Sequence, residues 1–461
     1  MDFASEVGEV AKEILELTNY GKREHIYNSD LARELGDSLY SLIVLANIYN
    51  INLEEQLHNS LEKYKIREQK RKDLTQCKVK LEPIVLSKNF LCINAIAGCR
   101  NDCIYCYKHG WDIENKFKPT LLFEVKEILK NIKKHRYFHP NIPLAVHNSA
   151  TDPFQEEVIE TTFEILDGLE SQGITNIVGL ITKEYISEEI IKKLESYKNI
   201  RPIIFVTYSF LPKEYENVIV EKRIESMKNL SKSRLKKILY YRPIISGVND
   251  SEKIVKDIVT LGEKYFDCIV RSPLKVDVNI IEYMAGKNIF IDSHYDIGLN
   301  IHDSIKQMLP DSRERVDNIL VQSKVPYFKK TSCGISYLFG EADYNTQWIR
   351  ENIYCSRNCP DEQRKRCLRQ SIKKPSSKEI EELLRHLGLE CKYKIYDNRV
   401  LIESEKIFYS DIKYLRMALK FPVLVSIDKQ ELTAEEYDRK YVNADRIEIR
   451  KIIKKKVIDN Y

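Results

Sequence analysis

Three cysteines on one short segment are the residues best suited to chemistry. Cys99, Cys103 and Cys106 follow the spacing C-x3-C-x2-C within eight residues. Three thiolates on one loop can hold three irons of a [4Fe–4S] cluster and leave the fourth iron without a protein ligand. The alternative is a zinc site completed by His109 or His147, although zinc loops more often use paired C-x2-C knuckles. The spacing therefore predicts a [4Fe–4S] cluster at these cysteines.

Composition is that of an ordinary globular protein from a reducing compartment. Of 461 residues, 43% are hydrophobic and 31% charged, and the formal net charge is +5. No apolar run is long enough to span a bilayer, and the acidic, amphipathic N-terminus is typical of neither a signal nor a transit peptide. The eleven cysteines do not suggest a secreted disulfide framework. We therefore expect a cytoplasmic protein with no membrane partner.

Strands and helices alternate through the middle of the chain. Short runs rich in Ile and Val are each followed by an amphipathic stretch, which is typical of a parallel sheet covered by helices. Six strands are predicted, at 90–98, 142–149, 176–183, 202–209, 238–246 and 267–274. Helices are predicted between them at 121–135, 156–173, 187–197, 222–237 and 251–266. In a partial barrel or a doubly wound sheet, chemistry sits at the C-terminal ends of strands, and the cysteines directly follow the first strand.

The arrangement of Cys99, Cys103, Tyr105 and Cys106 after the first strand resembles the signature of the radical S-adenosylmethionine superfamily. The resemblance covers about residues 88–330. It implies that the three cysteines are catalytic through their cluster and that S-adenosylmethionine binds the open iron. It also implies that an electron donor such as flavodoxin or ferredoxin drives cleavage to a 5′-deoxyadenosyl radical, which takes a hydrogen from the substrate.

Residues near successive strand ends are implied as cofactor contacts by the same resemblance. They are Tyr105, Asn148, Ser149, Lys183, Ser209 and Arg242. Lys183 is expected at the carboxylate of S-adenosylmethionine, and Ser149 and Ser209 at its amino or ribose groups. The segment TDPFQ at 151–155 is similar to the spore photoproduct lyase and DNA repair photolyase branch. Those lyases carry a hydrogen-donating cysteine where this chain has His-Asn-Ser at 147–149, which argues against repair of that lesion.

A second cysteine group follows the central region. Cys333, Cys355, Cys359 and Cys367 lie within 35 residues, in a polar, turn-rich segment. Four thiols suffice for a tetrahedral zinc site or an auxiliary Fe–S cluster. Both metals stay open here, and chance clustering is the alternative.

Acidic residues are paired on the predicted N-terminal helices. Glu6 and Glu9, and likewise Glu34 and Asp37, are three residues apart and so share a helix face. Four converging carboxylates favour Mg²⁺ with a polyphosphate ligand, and a solvated acidic face is the alternative. The pattern resembles the MazG-type nucleotide pyrophosphohydrolases over about residues 4–66. That resemblance implies that the four acids bind Mg²⁺ and that the helices form a homodimer.

The domains are predicted from these patterns together. A MazG-like helical module covers 1–70 and a basic linker 71–87, followed by the radical S-adenosylmethionine domain at 88–330. The cysteine-rich segment covers 331–370 and a small C-terminal module 371–461. The fold class is α/β, a partial (β/α)6 TIM-like barrel with an N-terminal all-α bundle and a small C-terminal α+β module.

The function expected from the resemblances is that of a radical S-adenosylmethionine enzyme acting on a nucleotide or nucleic acid. Two alternatives belong to other classes. One is a radical enzyme that modifies a peptide or protein, to which an auxiliary cluster would be suited. The other is a Mg²⁺-dependent nucleotide pyrophosphohydrolase whose cluster domain only binds or senses.

Overall fold

The structure is a computed structural model with two compact units, Met1–Gln76 and Cys77–Tyr461. It describes residues 3–17, 29–61, 79–148, 150–298, 305–346, 359–404, 407–427 and 430–437. The predicted basic linker therefore lies outside the described residues up to residue 78. None of the described helices combines the length and the apolar composition needed to cross a membrane.

The front unit is helical in its described part, as predicted. Helix α1 spans Phe3–Leu17 and packs against α2, Ser29–Ile48. A third helical stretch covers 53–61. It begins after Asn52, whose side-chain oxygen accepts a hydrogen bond from the backbone N–H of Glu55 at 3.1 Å.

A nine-stranded sheet forms the base of the second unit, in the order β1-β2-β5-β6-β7-β8-β9-β10 with β11 also beside β9. The strands are β1 (Ile84–Leu86), β2 (Leu91–Ile93), β3 (Ile96–Ala97), β4 (Thr120–Leu121), β5 (Leu144–Val146), β6 (Ile177–Thr182), β7 (Arg201–Thr207), β8 (Lys236–Ile244), β9 (Cys268–Val276), β10 (Ile305–Gln307) and β11 (Tyr327–Phe328). β3 and β4 form a separate pair.

Strands β2, β5, β6, β7, β8 and β9 are parallel and lie side by side in chain order. A doubly wound sheet reverses its strand order at a switch point, and these six strands show no reversal. The predicted parallel α/β sheet is confirmed. All six carboxyl ends therefore point to one edge, where the cysteine loop begins.

Helices connect the parallel strands and bury apolar faces against them. They are Val125–Asn131, Ile159–Ser171, Glu188–Ser196, Val220–Ser231 and Glu252–Tyr265. The sequence sets two of their starts, because Ser187 and Ser251 each accept a hydrogen bond from a backbone N–H three residues on. Three more helices follow β9, at Val278–Ala285, Pro310–Leu320 and Thr331–Leu338.

The end of the predicted linker is part of the sheet, which corrects the boundary at residue 87. Ile84, Val85 and Leu86 form β1 and pair antiparallel with β2. The reason is their apolar character, since Ile84 and Leu86 are buried in the core.

In the part of the chain that the structure describes, the second unit also contains a smaller four-stranded sheet and four helices. Its strands, in the order β12-β13-β14-β15, are Lys392–Ile395, Val400–Glu403, Val423–Ile427 and Gln430–Leu432. The helices are Asp361–Ser371, Ser377–His386, Tyr409–Leu419 and Ala434–Tyr437. Within the unit, the Lys413 ammonium donates to the Leu86 carbonyl at 2.9 Å, so the helix that carries Lys413 lies against β1.

Candidate active site

The cysteine loop leaves the sheet through a glycine that no other residue could replace without rearrangement. Gly98 has φ +94°, and a Cβ there would lie 2.2 Å from the Lys118 carbonyl oxygen. Two backbone hydrogen bonds then fold the loop. The Cys99 N–H donates to the Lys116 carbonyl at 3.0 Å, and the Cys106 N–H donates to the Cys103 carbonyl at 3.0 Å. The backbone thus fixes where the cysteines stand.

Two of the three sulfurs accept hydrogen bonds from residues at neighbouring strand ends. Gln155 Nε2 donates to Cys99 Sγ at 3.3 Å, and Lys183 Nζ donates to Cys103 Sγ at 3.1 Å. Burial raises the pKa of the Cys99 thiol to about 12, so its thiolate needs compensating positive charge. N–H donors at sulfur are the contacts that cluster-ligating thiolates use.

The donor atoms at the cysteine loop are not gathered as tightly as the ligands of one zinc ion would be. Tetrahedral zinc holds thiolates at about 2.3 Å, which places two sulfurs about 3.8 Å apart. Among the described residues, no three donor atoms that include these cysteines lie within 4.8 Å of one another. His109 Nε2 lies 3.1 Å from the Cys103 carbonyl oxygen, and its ring stacks on Tyr283. His147 is buried, and neither of its ring nitrogens has a hydrogen-bond partner in the described part of the chain.

A buried ion-pair network surrounds the Lys183 ammonium. Glu216 accepts from Lys183 at 2.8 Å through one oxygen and from Arg223 at 2.8 Å through the other. The Tyr105 hydroxyl contacts both Glu216 and the Lys183 ammonium. Burial alone would raise the pKa of Glu216, but Lys183 and Arg223 hold it at about 2. The network fixes the ammonium beside Cys103 Sγ.

The TDPFQ segment positions the cysteine loop through side-chain hydrogen bonds. Asp152 accepts from Thr182 Oγ1 at 2.6 Å and from the Lys183 backbone N–H at 2.7 Å. Burial and the nearby Glu184 charge raise the pKa of Asp152 to about 7. Gln155 also accepts from the Arg100 N–H at 3.3 Å. The second strand end is thereby tied to the third strand end and to the cysteine loop.

The other predicted cofactor contacts lie at the same edge, except Ser149, which falls outside the described residues. The Asn148 carbonyl accepts from the Tyr107 hydroxyl. Ser209 Oγ and Thr151 Oγ1 are buried without a hydrogen-bond partner among the described residues. Since buried hydroxyls are normally paired, these two fit a polar ligand bound at the strand ends. Arg242 lies on β8, 5.6 Å from the Tyr240 ring centroid.

Two functional candidates, Glu216 and Arg223, were not found from the sequence. Glu216 lies in the loop after β7, next to the exposed Glu214, and nothing in the sequence separates the two acids. The Ile104 N–H donates to the Tyr215 carbonyl at 3.1 Å, which brings this loop onto the cysteine loop. The one feature of the sequence that could have pointed to Glu216 is that its loop follows the end of a predicted strand.

The second cysteine group is described in part. Cys333 lies on the helix Thr331–Leu338 and Cys367 on Asp361–Ser371, and both are half-buried, as is Cys359. Gln363 Nε2 donates to Cys367 Sγ at 3.6 Å. Cys355 lies outside the described residues, so a four-thiol site stays a prediction.

Three of the four predicted acids in the front unit converge. Carboxylate oxygens of Glu6, Glu34 and Asp37 lie within 4.8 Å of one another. A hydrogen bond that protonated Glu9 donates to Glu34, together with the charges of Glu34 and Glu6, raises the pKa of Glu9. Such crowding of carboxylates is relieved by a proton or by a hard cation.

One protein-family model matches the front part of the chain. The MazG nucleotide pyrophosphohydrolase domain family matches residues 2–72. This confirms the predicted resemblance of the front helices. No curated protein matches the chain.

Three solved structures are similar in part. A spore photoproduct lyase variant is 11% identical and covers 51% of this chain and 75% of its own, with a TM-score of 0.40. Streptococcus suis SuiB is 12% identical, and the likeness covers 74% of this chain and 62% of SuiB, with a TM-score of 0.35. Native anSMEcpe with bound AdoMet is 12% identical, and the likeness covers 57% of this chain and 66% of anSMEcpe, with a TM-score of 0.33. All three are radical S-adenosylmethionine enzymes, but at such TM-scores the likenesses assign neither fold nor function.

Proposed function

We propose that the second unit is a radical S-adenosylmethionine enzyme that acts on a nucleotide or nucleic acid. Cys99, Cys103 and Cys106 hold a [4Fe–4S] cluster on a partial (β/α)6 barrel. The observation that carries the proposal is the pair of N–H···S hydrogen bonds, from Gln155 and Lys183, to sulfurs of one strand-end loop. When bound, the cluster would supply one electron, received from a donor such as flavodoxin or ferredoxin, for the cleavage of S-adenosylmethionine to methionine and a 5′-deoxyadenosyl radical.

The chain's own residues orient the cofactors and keep water out. Glu216 holds the Lys183 ammonium at Cys103 Sγ, and Tyr105 lies against the same ammonium. The hydroxyls of Ser209 and Thr151 are available to a polar ligand. Because Glu216 and Arg223 have side chains only 3% exposed, the network works where little water screens its charges.

Release of 5′-deoxyadenosine tests this proposal. Anaerobically reconstituted, reduced protein given S-adenosylmethionine should release it, and Cys103→Ala should lose at least about 99% of the release, since the sulfur ligand is gone. Cys391→Ala, at a half-buried cysteine of the C-terminal part, is the matched control and should keep it. Equal release by wild type and Cys103→Ala, or none by either, contradicts the proposal.

A second activity is proposed for the front unit, which is Mg²⁺-dependent pyrophosphate release from nucleoside triphosphates. Its support is the family match together with the convergence of Glu6, Glu34 and Asp37. Glu34→Gln should abolish release by removing a Mg²⁺ ligand, and Glu16→Gln, on α1, should not. Unchanged release in Glu34→Gln contradicts the assignment.

We propose a homodimer through the front helices. α1 and α2 leave large apolar side chains exposed, and a second copy would cover them. They include Val7, Leu35, Leu39, Tyr40 and Ile48. Sedimentation should give a dimer that Leu39→Lys converts to a monomer, and a wild-type monomer would contradict it.

A second metal site is proposed at Cys333, Cys355, Cys359 and Cys367. Its support is the polar segment with four thiols, three of which are half-buried in the structure. Iron and zinc counts on wild type and Cys355→Ser should differ by one zinc or one cluster. Equal counts would contradict the site.

A further inference from the structure

The helix Val278–Ala285, which follows the last of the six parallel strands, lies against the cysteine loop. Its Tyr283 hydroxyl donates a hydrogen bond to Asp102 Oδ1 at 2.6 Å. The Tyr283 ring stacks on the His109 ring, with the two centroids 3.7 Å apart and the two planes inclined by 16°. His109 Nε2 in turn lies 3.1 Å from the Cys103 carbonyl oxygen. Tyr283 therefore contacts the chain on both sides of Cys103.

Asp102 has a left-handed backbone, which makes it the point of the loop that most needs support. Its φ is +37°, in a region that residues with a side chain rarely adopt. Aspartate tolerates this conformation better than most residues do, but surrounding contacts must still hold it there. Because Asp102 directly precedes Cys103, its conformation decides where the Cys103 sulfur lies.

Both carboxylate oxygens of Asp102 have partners at this helix. Oδ1 accepts from Tyr283, and Oδ2 lies 3.8 Å from the Lys287 ammonium. The Lys287 and Asp102 side chains are 49% and 33% exposed, so water screens the ion pair and it contributes little. A short hydrogen bond to a charged acceptor is the stronger contact. The Tyr283 hydroxyl is therefore the main support of the Asp102 side chain.

Backbone hydrogen bonds hold the cysteine loop from another element, the loop after β7. The Asn217 N–H donates to the Asn101 carbonyl at 3.2 Å, and the Ile104 N–H donates to the Tyr215 carbonyl at 3.1 Å. These two bonds fix the residues on either side of the left-handed turn. Neither bond involves the side chain at the turn itself, which depends on the contact from the helix.

We propose that Tyr283 is a positioning residue that holds Asp102 in its left-handed conformation and thereby keeps Cys103 in place as a cluster ligand. The inference rests on the proposed function, which assigns Cys103 to the cluster. Tyr283 acts through Asp102. Removing its hydroxyl should loosen the loop without unfolding the sheet, because the ring and its stacking contact remain.

Loss of iron to a chelator from the reconstituted full-length protein tests the proposal. Tyr283→Phe removes the hydroxyl and keeps the ring, and it should lose iron about tenfold faster than wild type. Tyr393→Phe is the matched control, because the Tyr393 hydroxyl also donates to a carboxylate, Glu381 at 2.9 Å, but lies on β12 of the smaller sheet. The control should lose iron at the wild-type rate. Equal rates in Tyr283→Phe and wild type would overturn the proposal.

Variants of Asp102 show whether the effect of Tyr283 passes through the left-handed turn. Glycine adopts a positive φ without strain, so the loop of Asp102→Gly should keep its shape without the Tyr283 hydrogen bond. Tyr283→Phe should then accelerate iron loss by no more than about twofold in that background. Asp102→Asn, which keeps an acceptor oxygen and tolerates the left-handed conformation, should lose iron nearly as slowly as wild type. The same acceleration by Tyr283→Phe with aspartate and with glycine at position 102 would contradict the proposed route.

Hydrogen exchange in the metal-free protein separates a failure of this inference from a failure of the proposed function. The Ile104 amide, next to Cys103, should exchange about tenfold faster in Tyr283→Phe than in wild type or Tyr393→Phe. Faster exchange would support the hold of Tyr283 on the loop even if wild type took up no iron, a result that would refute the proposed function. Unchanged exchange, with a larger loss of unfolding free energy than in Tyr393→Phe, would instead make Tyr283 a structural residue.

Discussion

Two groups of cations at one edge of the sheet have different electrostatic surroundings. Lys183 and Arg223 share Glu216, which accepts from each at 2.8 Å. Lys275 and Lys306 face each other in register. In the first group one carboxylate accepts from both cations, whereas in the second group strand register sets two lysines opposite each other.

The difference lies in the charge that faces each cation, a carboxylate in the first group and another cation in the second. A buried cation that is paired and hydrogen-bonded stays in one place, so it can hold a neighbouring group such as Cys103 Sγ. Cations that strand register sets opposite each other repel, which raises the free energy of the folded state. Substitutions in the two groups should therefore change stability with opposite signs.

The largest effect is expected from Glu216→Gln. It leaves two buried cations without their carboxylate, so the free energy of unfolding of the metal-free protein should fall by about 3 kcal/mol. Urea denaturation measures it, with Glu214→Gln at the exposed neighbour as the control. If Glu216→Gln lost no more free energy of unfolding than Glu214→Gln, Glu216 would not be what stabilises Lys183 and Arg223.

A smaller effect is expected from pH at Lys275, which faces Arg242 on β8, Lys88 in the β1–β2 turn and Asp277 after β9. Its folded pKa of about 8 lies below the unfolded value, so between them the unfolded chain binds more protons and stability rises with pH. From pH 8 to 10, wild type should gain roughly 1 to 2 kcal/mol relative to Lys275→Met. If the free energies of unfolding of wild type and Lys275→Met changed in parallel with pH, Lys275 would not be repelled by its neighbouring cations.

The smallest effect is expected from Lys306→Gln. Removing one member of a like-charged cross-strand pair should raise the free energy of unfolding by about 0.5 kcal/mol, since solvent access limits the repulsion. Thermal and urea melts beside Lys192→Gln measure the gain. Destabilisation would place Lys306 with the structural cations.

The sequence predicts the strands and the cysteine loop because both depend on local pattern. Runs such as Ile177–Thr182 are apolar enough to require burial, and each appears as a parallel strand. The thiol spacing is also local, and Gly98 immediately before it sets the turn. Lys183 was found because it directly follows a strand.

Residues that meet through long-range register were not predictable. Lys275 and Lys306 become neighbours only when β10 pairs with β9, and a shift of one residue would move Lys306 to the other face. Nothing in the sequence distinguishes Glu216 from Glu214. The backbone hydrogen bond from Ile104 to Tyr215 holds their loop against the cysteine loop, where Glu216 is the acid that becomes buried. No periodicity encodes either contact.

The hydrogen bond from Lys413 to Leu86 joins residues separated by 327 positions in the chain. During synthesis, the outer edge of β1 must wait for nearly the whole polypeptide before its covering helix exists. An uncovered strand edge invites pairing with other chains. Ribosomes stalled before residue 409 should therefore release nascent chains that depend on chaperones and aggregate more readily than the finished protein.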